Sequence, residues 1–172
     1  HSFPTRRSSD LLSQRMNIAQ LDARTDFRME KLGGSPVYYT PLSGLASAAC
    51  EQTFQRLSGG LVAKPLTLNV LGHALDVPVA AAGVARFDFR DLCEKPYGAS
   101  DYLAVAKKFH TVFLENIPKM AIDRRNEAKR FVTLIDALYE AGTKLIALAE
   151  AEPDDLYPAG DGAFEFERTA SR

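Results

Sequence analysis

The sequence predicts an α/β fold that combines a parallel βαβ unit with an antiparallel β-hairpin, and three observations carry that prediction. Residues 110–150 run HTVFLEN, DRRNEAKRFVTLIDALYEAG and TKLIALAE with little between them. The middle run places Ala128, Phe131, Val132, Ile135, Leu138 and Tyr139 at helical spacing, between two short runs rich in β-branched and aromatic residues. Those flanking runs are apolar on both faces, as strands of a helix-covered parallel sheet must be, so a right-handed crossover is expected. Third, residues 66–82, LTLNVLGHALDVPVAAA, alternate on either side of Gly72-His73, which predicts the hairpin and its turn.

Bulk properties narrow the function classes. A chain of 172 residues holds one core or supplies part of a larger one. Hydrophobic residues make up 46% and charged residues 25%, ordinary for a soluble domain, and no apolar run approaches the roughly 20 residues of a membrane helix. A net charge of −1 gives no global electrostatic case for nucleic acid or anionic lipid. Cys50 and Cys93 lack metal-ligand spacing, and with only three histidines they read as small buried residues in a reducing compartment.

In chain order, residues 1–11 (HSFPTRRSSDL) match what the end of a short-read sequencing adapter would encode; they are read as an adapter-derived scar and residues 12–172 as native. A short strand is expected at about Asn17–Leu21 and another at VYYT after the Gly33, Gly34, Pro36 turn. Ser43 is expected to cap a helix through about Leu57, stopped by Gly59-Gly60. Pro78 places the second hairpin strand at an edge, and the hairpin is a candidate for a separate small sheet. VARFDF at 84–89 is a third strand, and a short helical turn ends at Leu92-Cys93. Ser100 is expected to cap a helix to about Phe109, Asp123 to cap the crossover helix, and Gly142 to end it in left-handed conformation. PDDLY reads as one more helical turn.

Few residues point to chemistry. Glu115 follows TVFL and so sits at the carboxyl end of a parallel strand, where magnesium-holding acids occur; a solvated strand end is the competing reading. Neither glycine pair, 33–34 or 59–60, leads into the Gly-Lys-Ser/Thr ending of a phosphate loop. Arg124, Arg125, Lys129 and Arg130 form a basic helix face that is either solvated or turned to phosphate or an acidic partner. Arg168 and Arg172 lie at helical spacing in FERTASR, where an arginine can reach a neighbouring subunit's nucleotide or pair with Glu165 or Glu167. No nucleophile elbow or metal cluster is signalled; His73 reads as a solvated turn residue competing with a catalytic one, and His110 as structural.

Several blocks together resemble the ZapE/AFG-type P-loop ATPases of the AAA+ class: ARFDFRDLCEKPYGASDYLAVAKKFHTVFLENIP, NEAKRFVTLIDALYEAGTKLIALAEAEPDDLYP and GDGAFEFERTASR. The likeness runs from about Leu12 to Arg172. It implies an incomplete P-loop NTPase-type fold, the C-terminal part of a magnesium-dependent ATPase whose Walker A, Walker B and first sensor lie upstream of Leu12. ATP and Mg2+ would then serve the intact protein, with neither expected on this fragment alone. The resemblance further implies a cytoplasmic protein that remodels protein partners of the bacterial cell division machinery, with a homo-oligomer among its states. Arg168, Arg172 and Arg125 become the expected contacts to nucleotide or a subunit interface. The NEAKRF to PDDLY block also looks like a weakened echo of the family's Walker B and sensor segment. A non-catalytic protein-interaction module is the alternative.

Overall fold

The computed structural model describes residues 18–20 and 38–157. In chain order they form β1 (Ile18–Gln20), β2 (Tyr38–Thr40), α1 (Gly44–Leu57), β3 (Lys64–Val70), β4 (His73–Ala81) and β5 (Val84–Asp88). There follow α2 (Phe89–Cys93), α3 (Ala99–Lys108), β6 (Thr111–Ile117), a 3-10 turn (Ile122–Arg124), α4 (Arg125–Ala141), β7 (Lys144–Ala149) and α5 (Pro153–Leu156). One seven-stranded sheet has the order β1-β2-β7-β6-β5-β4-β3. From β1 to β5 every neighbour pair is parallel, and β5, β4 and β3 form an antiparallel meander. This mixed α/β sheet is the arrangement expected of an incomplete P-loop-type fold.

The hairpin does not form a separate small sheet. A two-residue turn at Ala82-Gly83 returns the chain directly into β5, which pairs with β4 on one side and with β6 on the other. Its buried Val84, Ala85 and Phe87 suit it to a central place. Pro78 consequently lies on an internal strand, not at the edge. The β3–β4 ladder steps from Leu66↔Val77 to Lys64↔Ala80, so Pro78 sits in a bulge, and the β4–β5 ladder begins only at Val79. A proline there interrupts no ladder bond. The hairpin turn is Leu71-Gly72, one residue earlier than expected, with both residues at positive φ (49° and 89°), and His73 is the first residue of β4.

Two cores flank the sheet. On one face, α2, α3, α4 and α5 pack Phe89, Leu92, Tyr102, Val105, Leu134 and Leu156 against Phe87, Val112, Leu114 and Ala147. On the other, α1 alone lays Ala46, Ala49, Cys50 and Phe54 over Tyr39, Val84, Phe113, Ile146 and Leu148. Alternation along β5 and β6 therefore sends Val84 and Phe113 towards α1 and their neighbours Ala85, Phe87, Val112 and Leu114 towards α4.

Helix ends follow the sequence in part. Ser43 Oγ accepts from Ala46 N at 3.0 Å, and Gly142 ends α4 at φ 69°, both as expected. Asp123 is not the cap of α4, because the chain enters that helix through the 3-10 turn that contains it. Ser100 is likewise inside α3, whose N-cap is Gly98. Asp101 three residues on accepts from Gly98 N at 2.8 Å, so the acidic half of a capping box does the work assigned to the serine.

Candidate functional site

A charged cluster lies on the α1 face near the carboxyl end of the parallel strands. The β5–β6 register sets Asp88 beside Glu115 and Arg86 beside Phe113. Arg86 and Glu115 share the α1 side of the sheet, opposite two successive turns of α1 that carry Cys50, Glu51 and Phe54. Arg86 Nε donates to Glu115 Oε1 at 2.9 Å, and Arg86 Nη1 forms an ion pair with Glu51. The guanidinium carbon stands 5.4 Å over the Phe54 ring, which itself meets Phe113 edge to face at 5.4 Å. Cys50 Sγ donates to the same Glu115 oxygen at 3.4 Å, and Gln55 Nε2 donates to Glu51 at 2.9 Å.

Electrostatics fix the charge states. Burial opposes ionisation of Arg86, but Glu115 and then Glu51 outweigh it and push its pKa above the ordinary guanidinium value. The Gln55 hydrogen bond, followed by Arg86 acting against partial burial, holds Glu51 below the usual carboxylate range. Burial, reinforced by the Glu115 charge, pushes the Cys50 thiol well up, so it is a neutral donor and no nucleophile.

At the strand tips the chain is locally distorted. The β6–β7 register slips between Leu114 and Ile117, and Asn116 adopts φ 59°. Asn116 Nδ2 then donates to Asp88 Oδ2 at 2.7 Å, while Asp88 Oδ1 caps α2 through Arg90 N at 3.1 Å. Glu115 is therefore neither a solvated strand end nor an available metal ligand: it is 14% exposed and committed to Arg86 and Cys50.

The described residues do not fit ATP with magnesium. The β2–α1 connection reads Pro41-Leu42-Ser43, without the consecutive glycine amides and lysine that surround phosphates; of the neighbouring strand-end acids, Glu115 is neutralised by Arg86, and Asp88 accepts from Asn116 and from Arg90 N. Among the described residues no group of three acidic, histidine or cysteine side chains is arranged to hold a metal ion.

The other sequence candidates lie elsewhere. Arg125 is the exposed first residue of α4, near the same carboxyl edge but on the helix that covers the opposite face from Arg86. Arg168 and Arg172 lie outside the described residues. Within the basic face, Arg124 approaches Glu94 at 3.9 Å and Arg130 Nη1 donates to the Cys93 carbonyl at 3.1 Å, so both tie α4 to the α2 region. His73 is half-exposed and pairs with the buried Asp101, which joins the hairpin to the start of α3. His110 is structural: its ring meets Thr111 Oγ1 at 2.9 Å and donates through Nε2 to the Ala82 carbonyl at 3.0 Å.

The sequence reading missed Arg86. Its signal was available: Arg86 sits in VARFDF between residues that must be buried, and a cation in a central strand needs a partner.

The profile of the AFG1-like ATPase family matches residues 6–172. The chain is 31% identical over 167 residues to the cell division protein ZapE of Escherichia coli (strain K12), covering 95% of this chain and 44% of that protein. It is 33% identical over 153 residues to lactation elevated protein 1 homolog B of Danio rerio, covering 87% of this chain and 30% of the relative. An uncharacterized Schizosaccharomyces pombe protein is 34% identical over 150 residues, covering 86% and 33%. The chain thus spans less than half the length of each of these relatives. No solved structure matches. Matched over nearly its whole length, this chain belongs to the AFG1-like ATPase family.

Proposed function

We propose that this chain is the C-terminal part of a magnesium-dependent AAA+ ATPase that uses ATP hydrolysis to remodel protein partners, and that magnesium and the nucleotide's phosphate cradle are held by another part of the intact protein, with Arg168, Arg172 and Arg125 as this chain's contacts to nucleotide or a subunit interface. The observation that supports this division is the state of the adjacent strand-end acids: the Glu115 carboxylate is occupied by Arg86 and Cys50, and Asp88 accepts from Asn116 and from Arg90 N. The ATP- and magnesium-binding residues belong, on this reading, to sequence upstream of Leu12, beyond the adapter-like residues 1–11. The Escherichia coli relative is a cell division protein, which supports a link to cell division and, with it, a cytoplasmic site of action. No helix among the described residues is long and apolar enough to cross a membrane.

The test is to restore the upstream reading frame and measure magnesium-dependent ATP turnover. Glu115→Gln is expected to leave turnover per folded molecule unchanged; its abolition, with folding intact, would show that Glu115 is catalytic. Arg168→Ala separates two roles for the C-terminal segment. Loss of turnover supports a nucleotide or subunit-interface contact for Arg168, with Arg172 and Arg125 next in line, whereas loss of partner binding alone supports a docking module.

A further inference from the structure

The outer strand of the meander carries a pattern that complements itself. β3 is the last strand of the sheet among the described residues. Val70 and His73 close the two-residue turn as a hydrogen-bonded pair, so Val70, Leu68 and Leu66 direct their amides to β4. Thr67 and Asn69 therefore point both backbone groups outward, and Pro65 points out a carbonyl alone. All three are exposed.

Apolar side chains sit on either side of this open edge. Leu66 and Leu68 are only partly buried against the main core. Just before the strand, Leu61 is 60% and Val62 81% exposed, and just after it Leu71 is 85% exposed. Leu71 also holds φ 49° at the first position of its turn, where asparagine or glycine is favoured, so leucine there is unfavourable in both local conformation and solvation.

We propose that the β3 edge is the interface for a second copy of this chain, paired antiparallel about a two-fold axis through Thr67. In that register the two Thr67 residues exchange both backbone hydrogen bonds, and Asn69 N–H of each copy reaches the Pro65 carbonyl of the other. The missing Pro65 amide costs one bond on each side and blocks no approach. Leu66 of one copy falls beside Leu68 of the second, leucine face to leucine face, and Thr67 beside Thr67 on the polar face. The ladder ends with Val70 opposite Lys64 of the second copy, which brings the exposed Leu71 just past one end of β3 to the same end of the interface as the exposed Leu61 and Val62 just before the other copy's β3. Shifting the axis to Pro65 puts a residue without a donor at the centre, and shifting it to Asn69 separates the leucines. The interface is isologous and small, of the weak, reversible class.

The experiment is sedimentation velocity of the purified chain from about 1 to 100 µM, with variants that read the register. The chain is expected to show a concentration-dependent dimer. Thr67→Pro removes the central amides without touching the β4 ladder and should weaken association by at least about tenfold. Thr67→Ala, which keeps the amide, should not, and Leu71→Asn should weaken it while relaxing the turn. Thr67→Cys should form an intermolecular disulfide on mild oxidation, because paired Cα atoms at the axis are about 5.5 Å apart. Cys50 and Cys93 are buried and offer no competing thiol, and Asp76→Cys on the neighbouring strand should cross-link far more slowly. A chain that stays monomeric at 100 µM overturns the proposal and leaves the edge to another protein or to the rest of the intact polypeptide. A dimer indifferent to Thr67→Pro, or Thr67→Cys cross-linking no faster than Asp76→Cys, also overturns it. Circular dichroism of each variant separates lost pairing from lost folding.

Discussion

Replacing Arg86 with methionine tests how α1 is held to the sheet. Removing the cation leaves Glu115, 14% exposed, without a charge partner, and breaking such a pair costs about 3–5 kcal/mol when fully buried. The Glu51 side chain is 43% exposed, so its share is screened and falls to about 0–1 kcal/mol. Lost stacking on Phe54 adds about 0.5–1 kcal/mol. Methionine recovers part of the packing, and water can reach the cleared site because Arg86 itself is 21% exposed, so a net loss of about 3 kcal/mol is expected. With a urea slope of about 2 kcal/mol/M, the unfolding midpoint should fall by about 1.5 M. Adding Glu115→Gln to Arg86→Met should recover much of the loss, since deleting both partners removes the stranded charge. A midpoint shift below about 0.5 M with unchanged slope, or simple addition in the double variant, would refute the argument and show the cluster to be water-screened.

The turns and caps give further tests by thermal or urea unfolding. Gly83→Ala must hold φ 78° and sets its new Cβ 2.7 Å from the His110 ring, which is itself hydrogen-bonded on both nitrogens, so a loss of about 2–3 kcal/mol is expected. Ala82→Asn in the same turn suits φ 53° better and should stabilise by about 0.5 kcal/mol. Asp101→Ala deletes both the Gly98 cap and the His73 tether and should cost about 2 kcal/mol. Gln55→Leu removes the leading cause of the depressed Glu51 pKa. A depressed carboxylate contributes stability above its unfolded value and loses it as pH falls through the folded one. The variant should therefore differ from the parent above about pH 4.5 and converge with it in more acidic solution, read by unfolding midpoints against pH.

Periodicity made most of the fold legible. The β6–α4–β7 unit, the hairpin and α1 declare themselves because one apolar face repeats every 3.6 or two residues, and Ser43 and Gly142 act within a few residues of their own position. The misreadings share one cause, which is competition between adjacent residues for a local role. Asp101 took the cap from Ser100 by reaching back to Gly98, and the 3-10 turn absorbed Asp123 before α4 began. Pro78 looked like an edge residue because a bulge also frees a proline from the ladder, and a bulge depends on the partner strand. The site was less legible than the fold. Glu115 was visible as a strand-end acid, but its partner Arg86 is 29 residues away and Glu51 further still, contacts that exist only once β5 and β6 lie side by side under α1. Arg168 and Arg172 lie outside the described residues, so that part of the reading rests on the sequence and the family.

The meander of β3, β4 and β5 also bears on the order of assembly. Its two turns, at Leu71-Gly72 and Ala82-Gly83, join neighbours without a long closed loop, whereas each parallel neighbour of β6 must wait for a helix to cross over. Loop-closure entropy makes hairpins the early events, within about 1–10 µs for an isolated pair, and leaves crossovers for later. The meander is therefore expected to form first and to serve as the template on which the parallel strands dock, starting with β6 on β5. Substitutions that weaken its turns are expected to slow refolding, while substitutions in β7 are expected mainly to hasten unfolding.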